Sequence, residues 1–190
     1  MQTDLSVVPI GDETHSAVCW PAIFAGAVSA LGLAMLLSTL AAGFGLKLGA
    51  PWPSAAPATG DFTPILGAWL IVVQVLSAAL GGYLAGRLRT RWANVHEHEV
   101  HFRDTAHGLV TWAVSTVAGA VLIVAVMPPN AAANAAALAL QADPMRAQNI
   151  AAQVALFMGV GLLLSAFTAA VAAAIGGLRR EEMHRILRGR

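Results

Sequence analysis

One stretch of this chain concentrates the side chains capable of acid–base or metal chemistry: VHEHEVHFRDTAHG, Val95 to Gly108. It holds four of the six histidines, His96, His98, His101 and His107, with Glu97, Glu99, Arg103 and Asp104 between them. A zinc-protease helix needs His-Glu-x-x-His, so that two imidazoles one turn apart meet the metal. Here Val100 stands where His96-Glu97 would need its second histidine, and Phe102 where His98-Glu99 would. Haem held between helices would need imidazoles on facing spans. His107 has no such partner, because His15 and His184 lie outside the apolar segments. A simpler divalent-metal site drawn from His96, Glu97, His98, His101, Asp104 and His107 stays open, since a helix would put Glu97, His101 and Asp104 on one face. Two other readings stay open beside it. One is a solvated helix braced by a Glu99–Arg103 pair. The other is a surface whose histidines titrate near neutral pH. No nucleophile stands beside a base at a readable spacing, and no Gly-rich phosphate loop is present, so the expectation is a non-enzymatic protein without a resident cofactor. A basic folded domain for nucleic acid is also missing.

The elements that must position these residues are long and apolar. Of the 190 residues 57% are hydrophobic and only 11% charged, against the roughly 25% charged residues of soluble domains. Four charge-free runs stand out, at about 17–46, 62–86, 108–127 and 150–178. Each meets or approaches the ~20 residues that carry a helix across a ~30 Å hydrocarbon core. No period-2 alternation supports barrel strands. The expected fold is all-α, a polytopic membrane protein built as a four-transmembrane-helix bundle. Residues 1–16 form an N-terminal segment, 87–107 a His/Arg loop, and 179–190 a basic tail. The 1–16 segment has acids but no Lys or Arg, and a signal peptide is not expected from it.

Arginines and lysine orient the chain. Arg87, Arg89, Arg91 and Arg103, with the five arginines of the tail, fall on one side; only Lys47 and Arg146 fall on the other. By the positive-inside rule both termini are expected in the cytoplasm. Arg87, Arg89, Arg91, Arg179, Arg180 and Arg185 read as contacts to anionic lipid headgroups. Between spans, Ala50 to Pro64 carries four prolines, and Pro128-Pro129 ends the third run. The Ala-rich segment after it suits a short interfacial or re-entrant helix. Cys19 is the single cysteine, so no internal disulfide forms.

Helix association in lipid depends on small residues that admit close backbone approach. Candidate packing positions are Gly26 and Ala30; Ala78, Gly82 and Gly86; Ser115 and Gly119; and Gly161, Ser165, Ala169, Ala173 and Gly177. Such faces suit packing with a second copy or a larger membrane complex. A weak internal repeat relates LSAALGGYLAGRLR, Leu76 to Arg89, to LSAFTAAVAAAIGGLRR, Leu164 to Arg180.

The segments CWPAIFAGAVSALGLAMLLSTLAAGFGL, GGYLAGRLRTR and FRDTAHGLVTWAV resemble a group of small four-span bacterial membrane proteins often labelled "PhnA-like". The resemblance covers the first three spans well and the fourth loosely. It implies a multi-pass protein of the bacterial inner membrane and supplies no catalytic residues. Two functional expectations follow: an accessory or structural membrane subunit, or an oligomeric channel or transporter for a small solute. A metal- or pH-responsive protein using the histidine segment is a third.

Overall fold

The structure, a computed structural model, describes residues 18–44, 63–89, 97–126 and 130–188. It is all-helical: α1 Trp20–Gly43, α2 Pro64–Leu88, α3 Glu97–Val126, α4 Ala131–Ala142 and α5 Pro144–Arg188. Four of these, all but α4, are long and apolar enough to cross a membrane.

Local chemistry sets the helix starts. Proline occupies the first turn of α1 and of α2, where its missing N–H costs nothing. Thr63 caps α2, its hydroxyl accepting the Leu66 N–H at 3.3 Å. Asn130 takes the left-handed conformation, φ 67°, that turns the chain into α4. Asp143 ends α4 and caps α5, its carboxylate accepting the Arg146 N–H at 3.0 Å. α3 starts at Glu97, ahead of the apolar boundary near Gly108, so part of the segment read as a His/Arg loop is helix and runs on into the apolar stretch, in keeping with the Glu99–Arg103 spacing. α5 likewise runs unbroken through the tail to Arg188. At 45 residues it is about 67 Å long, more than twice a hydrocarbon core.

Two junctions of small residues hold the bundle. At the first, Gly26 of α1 lies against the Gly81 backbone of α2 and the Thr111 methyl of α3, and Ala30 also touches this crossing. At the second, Ala169 and Ala173 of α5, both fully buried, press on Gly82 and Gly86 of α2 and on Gly108 of α3. A Cβ at Gly82, Gly86 or Gly108 would collide with α5 backbone. These contacts establish that α2 and α5 run parallel and α3 and α5 antiparallel. Among the described residues α1 and α5 are not packed against each other.

The weak repeat has a spatial counterpart. Gly82 meets Ala169 and Gly86 meets Ala173, each 87 residues further on. Cys19 meets His107, 88 residues further on. Leu164 follows Leu76 by the same 88 residues in the repeat. The hairpins α1–α2 and α3–α5 therefore lie side by side in the same sense, with equivalent levels in contact.

Candidate functional site

The buried ionisable side chains among the described residues, Arg89, Asp104, His107 and Arg180, gather at one end of the bundle. Asp104, His107 and Thr111 follow one another at i, i+3 and i+7 on α3, so they share a face. Their exposures are 2%, 3% and 1%. Asp104 pairs with the Nε of Arg89, which closes α2, and both side chains are buried. On its other side the carboxylate packs on Gly177 of α5, where a Cβ would strike it. Arg180 of α5 donates from Nη1 to the Arg89 carbonyl at 2.9 Å and to the Gly86 carbonyl at 3.4 Å. Those oxygens belong to the C-terminal end of α2, whose last carbonyls have no intrahelical partner and which carries the negative end of the helix dipole. Arg89, Asp104 and Arg180 thus knot α2, α3 and α5 together.

His107 makes the second knot. Its Nε2 accepts the backbone N–H of Cys19 at 2.9 Å, ahead of α1. An accepting Nε2 leaves the proton on Nδ1, which donates to the Arg103 carbonyl at 2.7 Å. The Thr111 hydroxyl donates to the His107 carbonyl at 2.7 Å. Deeper in the bundle the Trp112 indole donates to the Ser165 hydroxyl at 2.9 Å, tying α3 to α5.

These positions change several expectations. Arg89 and Arg180 are not headgroup contacts: they are 3% and 9% exposed and bind protein atoms. Loop-by-loop counting of charges says which end of a helix an arginine occupies, and nothing about the direction its side chain takes. Arg179 is exposed beside Glu182, Arg87 is half-buried, and the side chains of Arg91 and Arg185 lie outside the described residues. Asp104 and His107 stand in the opening turns of α3, just ahead of the apolar run that begins at Gly108.

Of the six suggested metal ligands, the side chains of His101, Asp104 and His107 are described, and these three do not converge on one point. Asp104 is committed to Arg89, both ring nitrogens of His107 are committed to backbone, and His101 is exposed. Glu97 and His98 stand on the first turn of α3 with side chains outside the described residues, and His96 lies outside them altogether. Among the described residues no three His, Cys, Asp or Glu side chains come together. A metal ligated by Asp104 or His107 would have to displace the Arg89 contact or the backbone bonds of the imidazole.

The small residues singled out by spacing are spent inside the chain. Gly26, Ala30, Ala78, Gly82, Gly86, Gly161, Ser165, Ala169, Ala173 and Gly177 are buried, with Gly161 beneath the Gln74 amide. Ser115 and Gly119 are half-buried, Gly119 facing Leu31. Gly81 and Gly108, which are not among those positions, take equal part; Gly81 adjoins Gly82, and Gly108 opens an apolar run.

Fold and site define a multi-helix bundle, four of its helices long and apolar enough to cross a membrane, closed at one end by buried ionic and imidazole contacts. No protein-family model, curated protein or solved structure matches this chain.

Proposed function

We infer that the chain is a non-enzymatic integral membrane protein, an accessory or structural subunit that assembles with itself or with a larger membrane complex. The observation that supports this most is the state of α3. Only 6% of its most apolar window is buried within the chain, against 28% and 33% for α1 and α2. From Ala120 to Val126 every residue is exposed, so the last two turns of α3 present apolar surface that the described residues leave largely uncovered. The small-residue faces are consumed internally, so a partner would meet the larger apolar side chains, Val117, Val121 and Val124 on α3 and Leu156 and Leu163 on α5. The bacterial inner membrane and the cytoplasmic placement of both termini belong to the same proposal, resting on the arginine distribution. Extraction in native-lipid discs followed by mass measurement tests it. The expected particle holds more than one chain, and Val124→Trp shifts it toward the single chain. A single chain with no companion refutes the reading.

A second reading, a small-solute pathway, has one observation in its favour. The buried Trp69 Nε1, Gln74 Oε1 and Ser77 Oγ, all on α2, have no hydrogen-bond partner. Buried polar atoms of this kind are normally satisfied, by protein or by water. Solute flux into liposomes that Gln74→Leu abolishes would support this reading, and absence of flux would end it.

A further inference from the structure

We propose that His107 is a proton-sensitive latch on the start of α1: the neutral ring holds that start against α3, and protonation releases it. α1 opens without a side-chain cap of its own, since Cys19 stands at the cap position and no acid lies in the first turn. In a capping box, a polar side chain from the helix's own first turn reaches back to the N–H of the cap residue. Here an imidazole of α3 does so from 88 residues away, its Nε2 accepting the Cys19 N–H at 2.9 Å. The Cys19 carbonyl in turn accepts the Ile23 N–H at 3.2 Å and so begins the helix. One ring nitrogen thus bears on where α1 starts and on how it meets α3.

Only one protonation state of the ring can make this contact. Nδ1 already donates to the Arg103 carbonyl at 2.7 Å, so a second proton has to settle on Nε2. Nε2 then becomes a donor facing the donor N–H of Cys19, and the lone pair that held it is gone. The imidazolium would also stand at the N-terminus of α1, where unpaired N–H groups carry the positive end of the helix dipole. Both effects oppose the contact in the charged state, so its contribution is complete on the alkaline side and is lost as pH falls. Histidine is the side chain whose ordinary titration lies between about pH 5 and about pH 8. The ring forms part of the wall of a cleft of about 260 Å³ between Val18 and Ile23 on one side and Phe102, Ala106 and Val110 on the other, which gives protons a route to it. The other ionisable side chains at this end are Arg103 and Asp104 of α3, Arg89 of α2 against Asp104, Arg180 of α5 at the end of α2, and the Cys19 thiol. The arginines keep their charge throughout, and His15 lies outside the described residues. Release is local, because fully buried Ile23, and Gly26 against Gly81, hold α1 farther along. Val18 and Cys19 leave α3, and the cleft between them opens.

The latch lies within one chain, so it works whether or not the protein has a partner. The test is hydrogen exchange of the full chain in lipid discs at about pH 8 and about pH 5, the limits of ordinary histidine titration, with rates corrected for the intrinsic effect of pH. Protection of the Cys19 and Ile23 amides should fall roughly tenfold at the lower pH, the scale of one hydrogen bond lost, while amides of α2 stay protected. His107→Gln should abolish the response, because an amide oxygen can accept the Cys19 N–H at either pH. His101→Gln, at an exposed histidine of the same helix, and His15→Gln, just ahead of α1, should both keep the wild-type response. Equal protection of the wild type at the two pH values overturns the proposal. So does a response that persists in His107→Gln or disappears in His101→Gln or His15→Gln. Should His107→Gln have lost protection already at the higher pH, nitrogen NMR of the histidine-labelled wild type decides: the His107 ring must titrate in step with the Cys19 amide, and a mismatch overturns the latch.

Discussion

Replacing Asp104 by asparagine removes the charge facing Arg89 while keeping the shape of the side chain. Both partners are almost wholly buried, at 3% and 1% exposure of their side chains. Removing one member of a buried ion pair typically costs about 3–5 kcal/mol, mostly from the charge left behind. Arg89 closes α2, so its guanidinium has some freedom to turn toward the bundle end, which places the expected loss near the lower figure, about 3 kcal/mol. The effect should spread, because Arg180 is bound to the carbonyl of Arg89. Reversible unfolding in mixed micelles measures the loss. The double variant Arg89→Met with Asp104→Leu should recover most of it, since a well-packed apolar pair often matches a buried ionic one. A loss below about 0.5 kcal/mol in Asp104→Asn, the range of ordinary surface changes, would refute the idea that this pair closes the bundle. So would a double variant as unstable as the two single variants summed.

Other expectations follow from the same geometry. Gly82→Val or Gly86→Val should destabilise by at least about 1–3 kcal/mol through overpacking on Ala169 or Ala173, whereas Gly159→Ala, with open space around it, should be neutral or stabilising by under about 1 kcal/mol. His107→Leu leaves the Cys19 N–H without its acceptor; a loss of about 1–3 kcal/mol and faster hydrogen exchange in the first turn of α1 should appear together. Trp112→Phe removes one interhelical bond, for which about 0.6 kcal/mol is the usual scale in membrane helices, read by the same unfolding assay. Arg180→Gln should cost about 1–2 kcal/mol while Arg179→Gln stays within ~0.5 kcal/mol, a contrast that separates a buried cap from an exposed pair.

Much of the architecture is legible in the residues. Charge-free runs mark the long helices, prolines mark several of their starts, and the Ala-rich segment before Pro144 marks α4. The spacing of Gly82 and Gly86, and of Ala169 and Ala173, marks faces fit for close packing. Spacing does not tell whether such a face meets its own chain or another; in the fold, α5 meets α2 there.

What stayed hidden has one physical cause. α1 and α2 are apolar on all sides, so no polar face shows which way either helix turns, as it would in a soluble amphipathic helix. In the histidine segment the reverse holds: polar side chains point in several directions, and only their surroundings sort them. Asp104 and His101 share a helix and nearly a face, yet one is buried against Arg89 and the other is exposed. The partner of His107 is a backbone N–H 88 residues away, and a backbone group carries no residue identity to read. Composition and periodicity determined which stretches form long apolar helices and where their charges cluster. Only the tertiary structure decided which arginines, which histidine and which glycines are spent in holding them together, because that depends on contacts between residues far apart in the chain.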